Sequence, residues 1–176
     1  LSKLDSVRNF ASNFLKQFDQ LNLLINNAGV MMPPYNKTGD GFELQFEANY
    51  LGHFLLTALL IDQLESTPNS RVVSLSSIAH KSATINFDDL QSETSYSKSK
   101  AYGQSKLACL IFAYELQRRL EKRGSNTISV AAHPGVSNTE LMRHMPKFIT
   151  TVLGPILIPL FTHKPSKAAK AQINAA

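Results

Sequence analysis

The stretch Leu21-Asn22-Leu23-Leu24-Ile25-Asn26-Asn27-Ala28-Gly29 decides how the chain is read. Residues 21–25 are almost entirely apolar, and the polarity then changes abruptly to two asparagines, an alanine and a glycine. A short apolar run closed by turn formers reads as a buried strand that delivers a tight turn at its carboxyl end.

Working outward, Leu4, Val7, Ala11, Phe14, Leu15 and Phe18 recur at helical spacing, with Ser2 as the expected cap and Asp5 three residues on. Residues 40–64 read as one long, mainly apolar helix, and 71–75 as a second buried strand that breaks at Ser76 and Ser77. A polar, irregular stretch follows over 79–100. Leu107, Leu110, Ile111, Tyr114 and Leu120 then mark another long helix. Its end is signalled by Arg118, Arg119, Lys122 and Arg123, cations where the helix dipole favours them, and by Gly124 as a stop. Residues 127–132 form a third strand, closed by His133, Pro134 and Gly135. Buried strands alternating with helical crossovers predict an α/β fold, a doubly wound parallel sheet with helices on both faces. In such sheets ligands lie at the carboxyl ends of the strands, where this chain carries 26–29, Ser76 and Ser77, and 134–139.

Length and composition bound the rest. A chain of 176 residues, 43% hydrophobic and 18% charged, suffices for one core and is too short for two ordinary domains, so 1–176 is read as a single domain. The net charge of +5 comes from basic residues scattered over several segments, which argues against a nucleic-acid-binding stripe. Cys109, the single cysteine, can form no internal disulfide. Its apolar helical neighbours mark it as a structural thiol, and it suits a reducing compartment. No leader pattern opens the chain, which begins at Leu1 rather than Met and reads as cut from something longer.

Tyr102 and Lys106 stand four apart near a helix start, so they share one face. A cation beside a phenol favours phenolate, which lets a tyrosine exchange protons with an alcohol or carbonyl. Tyr96 and Lys100 have the same spacing. Tyr102 is preferred because Lys106 runs directly into the apolar helical stripe. A serine hydroxyl at Ser76 or Ser77, at a strand end, can donate to a carbonyl oxygen as charge develops on it, or simply cap the strand. Asn49 sits inside an expected helix, an awkward place for a side chain that competes for backbone hydrogen bonds. No metal site is predicted.

Together these features resemble the short-chain dehydrogenase/reductase family, and the likeness runs through nearly the whole chain. The motif Asn26-Asn27-Ala28-Gly29, then Asn49, Ser77, Tyr102, Lys106, and Pro134-Gly135 with Thr139 stand in the family's order. Asp89-Leu90-Gln91, Ala132-His133-Pro134-Gly135-Val136 and the long interval from Ser77 to Tyr102 look like the retinol dehydrogenase-like branch. The resemblance implies a partial Rossmann-like fold and hydride transfer between a nicotinamide dinucleotide and a lipophilic alcohol or carbonyl, retinol- or retinal-like. It implies NADP as cofactor, with NAD the alternative. Tyr102 would be the general acid and base. Lys106 would lower its pKa and bond the nicotinamide ribose, Ser77 would polarise the substrate oxygen, and Asn49 would hold a water in a proton relay. Asn26, Ala28, Gly29, Pro134, Gly135 and Thr139 would line the cofactor together with Tyr102 and Lys106.

The family's opening strand and glycine-rich turn have no counterpart here, and its final strand is not reached, so the domain is expected to be incomplete at both ends. The alternative to an enzyme is a truncated, non-catalytic interaction module of the same fold. The 176 residues alone are expected to turn over weakly or not at all. Residues 138–165, apolar and punctuated by Pro146, Gly154, Pro155 and Pro159, are expected to form a substrate lid rather than a membrane contact. A cytoplasmic location and, for the complete chain, a homo-oligomer are the remaining expectations.

Overall fold

In the computed structural model the described residues are 1–133, 170 and 173–175. Helix α1 spans Leu4–Gln17, followed by strand β1 at Leu23–Asn26. A short helix α2 (Leu44–Phe46) runs through a π-helical turn (Glu47–Leu51) into α3 (Gly52–Ser66). Strand β2 (Arg71–Leu75), two 3-10 turns (Ile78–Ser82 and Phe87–Asp89), helix α4 (Lys98–Lys122) and strand β3 (Ile128–Ala132) complete the order.

The three strands pair in parallel in the order β1-β2-β3. Leu23 stands opposite Arg71, and Arg71 opposite Ile128, so all three carboxyl ends fall on one edge of the sheet. Both crossovers step across the sheet in the same direction, and right-handed connections therefore put α3 and α4 on the same face. On that face Leu60, Leu64, Val72 and Leu120 are almost wholly buried. On the other, Leu23, Ile25 and Ile128 are exposed among the described residues, and Arg71 Nη1 donates to the carbonyl of Ala175, within helical residues 173–175, at 2.9 Å.

Three expectations change in detail. Lys3, not Ser2, caps α1 and makes no side-chain cap bond; the Leu4 N–H instead donates to Asp40 Oδ2 at 2.7 Å, a remote carboxylate doing the cap's work. Val7 and Ala11 are buried, whereas Leu15 and Phe18 of the same apolar stripe are exposed, and Phe14 and Phe18 stack with ring centroids 4.9 Å apart. The helix expected over 40–64 starts only at Leu44. Gly41 takes a φ of +86°, which ends any helix there, and the Glu43 carboxylate caps the new start by accepting from the N–H groups of Gln45 and Phe46.

The carboxyl end of α4 follows the sequence reading closely, with Gly124 at φ +69° just beyond it. Its cations do more than meet the dipole: Arg118 and Arg119 both bind Glu115, and Arg123 reaches Glu65 of α3. No helix of the described residues is long and apolar enough to cross a membrane.

Leu64 is completely buried between α3 and the sheet. Leu64→Ala is expected to cost about 2–5 kcal/mol, read as a lower denaturation midpoint with little change in the denaturant slope.

Candidate active site

The parallel register brings the first turn, Ser77 and the start of α4 to one edge. Tyr102 and Lys106 lie on the inner face of α4, each about nineteen-twentieths buried (5% and 6% exposed). Ser77, half-buried, leaves β2 in an extended conformation and caps the first 3-10 turn, its Oγ accepting from the Ala79 N–H at 3.3 Å. Ser76 is used differently: its hydroxyl donates to the Lys106 carbonyl at 2.8 Å and ties the end of β2 to α4. Of the two serines, only Ser77 lies beside the Tyr102 phenol.

Lys106 donates from Nζ to the Leu75 carbonyl at 3.0 Å, and its Nζ stands 5.9 Å from the centre of the Tyr102 ring. The expectation that it lowers the phenol's pKa is not met in this arrangement. Burial pushes the Tyr102 pKa up, with the nearby Ser77 hydroxyl working the other way, and burial pushes the Lys106 pKa down. The reason is geometric: the ammonium is directed to a backbone carbonyl and over the ring, while the low-polarity surroundings penalise both charged forms.

Asn49 lies in the π-helical turn and is completely buried. Its Oδ1 accepts from the Val30 N–H at 2.7 Å, and its Nδ2 donates to the Val30 carbonyl at 3.0 Å and to Ser105 Oγ at 2.9 Å. This side chain therefore clasps the backbone just after Gly29. A Cβ added at Gly29 would fall 2.8 Å from Asn49 Oδ1 and 3.7 Å from Lys106 Nζ, so the turn, the amide and the lysine are pressed together and only glycine fits. At the other end of the turn, Asn26 is buried and donates from Nδ2 to Thr57 Oγ1 at 3.0 Å, while its Oδ1 has no partner among the described residues. Ala28 and Gly29 are exposed at the carboxyl edge. An open, glycine-containing turn beside a buried lysine suits a dinucleotide, with Gly29 letting its backbone approach the ligand and Lys106 supplying a donor. Pro134, Gly135, Thr139 and the expected lid over 138–165 lie outside the described residues.

The competing pair is separated by the fold. Tyr96 donates to the Pro33 carbonyl at 2.9 Å, accepts from Gln45 Nε2 at 3.0 Å and packs on Tyr35. Burial first, then the Glu43 carboxylate, pushes its pKa up to about 12. Lys100 is exposed, so this pair forms no site. A cavity of about 690 Å³ lies nearby, walled in part by Ala83, Asp88, Lys100 and Gln104, but none of Ser77, Tyr102 and Lys106 lines it.

Two further residues meet the Asn49 carbonyl, and of these His53 escaped the sequence reading. His53 donates or accepts at Nδ1 with the Asn49 carbonyl at 2.8 Å, and Cys109 donates to the same carbonyl at 3.1 Å. The His53 carbonyl in turn accepts from Thr57 Oγ1 at 2.8 Å. Asn49, His53 and Thr57 are four apart in sequence, a polar seam on one helix face that the i, i+4 rule could have exposed. Cys109 is the buried structural thiol its apolar neighbours suggested, its pKa pushed up by burial.

Two measurements probe this cluster. Gly29→Ala forces the new methyl onto a buried amide and is expected to cost about 1–3 kcal/mol, seen as a lower Tm. His53 is held neutral: burial pushes its pKa down to about 4, against an ordinary value near 6.5 in the unfolded chain. Between those values the unfolded state binds the extra proton, so stability falls as the pH drops through that window. Denaturant titrations at about pH 7 and about pH 5 should show a larger loss for the parent than for His53→Gln.

The short chain dehydrogenase family model matches residues 1–149. The chain is 47% identical to human retinol dehydrogenase 13 over 175 residues, which is 97% of this chain and 52% of that protein. It is 53% identical to human retinol dehydrogenase 12 over 144 residues (82% and 45%), and 45% identical to human polyprenol dehydrogenase over 181 aligned positions (100% and 54%). The chain thus spans about half the length of these curated relatives. Among solved structures, an uncharacterised protein from Mycobacterium paratuberculosis superposes with a TM-score of 0.70 at 47% identity, covering 81% of this chain and 51% of that one. The Pseudomonas aeruginosa RhlG/NADP active-site complex superposes with a TM-score of 0.67 at 21% identity, covering 97% and 65%, a likeness of fold. The chain belongs to the short-chain dehydrogenase family, and within it resembles the retinol dehydrogenases.

Proposed function

We propose that the complete polypeptide is an oxidoreductase that moves a hydride between NADP(H) and a lipophilic alcohol or carbonyl of the retinol or polyprenol kind. The observation that carries this reading is the convergence of Ser77, Tyr102 and Lys106 beside the turn at 26–29, on the edge of a parallel sheet where such ligands bind. The names of the retinol and polyprenol dehydrogenases among its relatives supply the substrate class. The choice of NADP over NAD follows the resemblance to the retinol dehydrogenase branch. No particular observation favours the non-catalytic interaction module.

The nicotinamide supplies the hydride chemistry, and the chain's own residues position and handle the proton. Ser77 donates to the substrate oxygen and steadies the charge that develops on it. Tyr102, its pKa raised by burial, is protonated at neutral pH and can give that proton to the oxygen as a carbonyl is reduced. In the reverse direction the phenol must first lose its proton so that it can take the one on the alcohol. Lys106 would turn its ammonium to the ribose hydroxyls, and the turn at Ala28 and Gly29 would pass along the dinucleotide with Asn26 beneath it. Asn49 maintains that turn from below through Val30.

A second copy of the chain is the partner that suits the ridge formed by Tyr50, Phe54 and Phe112, whose rings pack in series while Phe54 and Tyr114 stand 46% and 70% exposed. A reducing, cytoplasmic setting agrees with the unpaired Cys109.

Two phenylalanine variants of the full-length protein test the assignment. Tyr102→Phe is expected to lower kcat by about a hundredfold or more, while Tyr96→Phe, which loses only structural hydrogen bonds, keeps most of its turnover. Because the free phenol's pKa is raised, kcat/KM for alcohol oxidation should climb with pH into the alkaline range and that for carbonyl reduction should fall there. Activity in Tyr102→Phe equal to that of the parent would refute the proposal.

A further inference from the structure

The helical turn that carries Tyr102 and Lys106 also carries a hydroxyl with no assigned task. Ser105 is completely buried, and its Oγ donates to the Tyr102 carbonyl at 2.8 Å. Serines in helices often bond back to their own backbone in this way. Here the same oxygen also accepts from Asn49 Nδ2 at 2.9 Å, across from α4 to the π-helical turn.

The sense of every bond in this group is fixed. The Val30 N–H can meet only an oxygen, which sets Oδ1 of Asn49 toward it and leaves Nδ2 with two hydrogens to donate. One goes to the Val30 carbonyl and the other to Ser105. The single hydroxyl hydrogen of Ser105 goes to Tyr102, so its lone pairs are what Asn49 meets. The path runs without a gap from the backbone after Gly29, through the Asn49 amide and the Ser105 hydroxyl, to the backbone of Tyr102. Asn49 and Ser105 are both fully buried, so the bonds from Asn49 to Ser105 and from Ser105 to Tyr102 are closed to solvent, while the two bonds to Val30 are part-buried.

We propose that Ser105 is a positioning residue that locks the Asn49 amide between the 26–29 turn and the helical turn of Tyr102, so that the dinucleotide turn and the proton-transferring pair keep a fixed spacing. The proposal rests on the assignment of that turn and that pair made above. Removing the hydroxyl leaves one amide hydrogen of Asn49 buried and unpaired, and the amide regains its freedom to rotate away from Val30. The effect should therefore appear at the turn, one residue beyond Gly29, although the substitution is on another helix.

The test uses Ser105→Ala in the full-length protein, with Asn49→Ala and the double variant, and reads hydrogen exchange over residues 27–32 beside steady-state kinetics. We expect faster exchange at the Val30 amide with β2 unchanged, and a roughly tenfold rise in KM for the dinucleotide. We also expect little further change when Ser105→Ala is added to Asn49→Ala, because the hydroxyl acts through that amide. Parental exchange at Val30, an unchanged dinucleotide KM, or effects that simply add in the double variant would each overturn the proposal, whatever happens to Tm. Should Ser105→Ala fail to fold, Ser105→Cys keeps a side chain of similar shape with a poorer acceptor, and parental exchange at Val30 in that variant would overturn it equally. If instead Tyr102→Phe retains full turnover, the assignment of the catalytic pair fails while the exchange readout still decides whether Ser105 holds the turn.

Discussion

The clasp of the Asn49 amide on the Val30 backbone is the constraint around which the site is arranged. An amide side chain can satisfy one N–H and one C=O of a passing strand at once, as a second strand would, and it does so here from within a helix. The helix adapts to carry it: the segment Glu47–Leu51 is π-helical, and the Asn49 carbonyl is met by His53 and Cys109 from two sides. The adjoining residue of the turn is then forced to be glycine, because any Cβ would meet the amide oxygen.

A second constraint is the low polarity of the place where Tyr102 and Lys106 are kept. Burial opposes phenolate and ammonium alike, so neither group is charged cheaply. The chain meets this by pairing the polar groups next to them: Lys106 has the Leu75 carbonyl, Ser76 has the Lys106 carbonyl, and Ser105 has the Tyr102 carbonyl. The first two of these bonds fix α4 against the end of β2, which is why Ser77 arrives beside the phenol rather than elsewhere along the edge. Tyr96 shows the same chemistry put to structural use, its hydroxyl bridging the Pro33 loop and Gln45.

Much of the architecture was legible because it rests on local rules. The apolar runs at 21–25 and 71–75 became parallel strands, and the end of the last long helix fell where the cations and Gly124 put it. The helix assigned to 40–64 was misjudged at its start because apolar content hides a backbone reversal; Gly41 and the capping carboxylate of Glu43 were the signals that mattered. The cap of α1 was misassigned because its real acceptor, Asp40, lies 36 residues away in sequence. No local pattern announces such a partner.

By itself, then, the sequence determined which residue types could do chemistry and on which edge they would gather, since strand and helix periods dictate both. It also made Cys109 a structural thiol through its apolar neighbours. The sequence already preferred Tyr102 to Tyr96, because Lys106 runs into the apolar helical stripe; the fold added that Tyr102 is buried while the Tyr96 hydroxyl is taken up by the Pro33 carbonyl. Tertiary structure alone decided that Asn49 is buried and faces Val30, that Lys106 turns to Leu75, and that Ser105 lies between them. Those contacts join residues between 19 and 56 positions apart, and a hydrogen bond at that separation is set by how helices pack on the sheet, which no periodicity along the chain encodes.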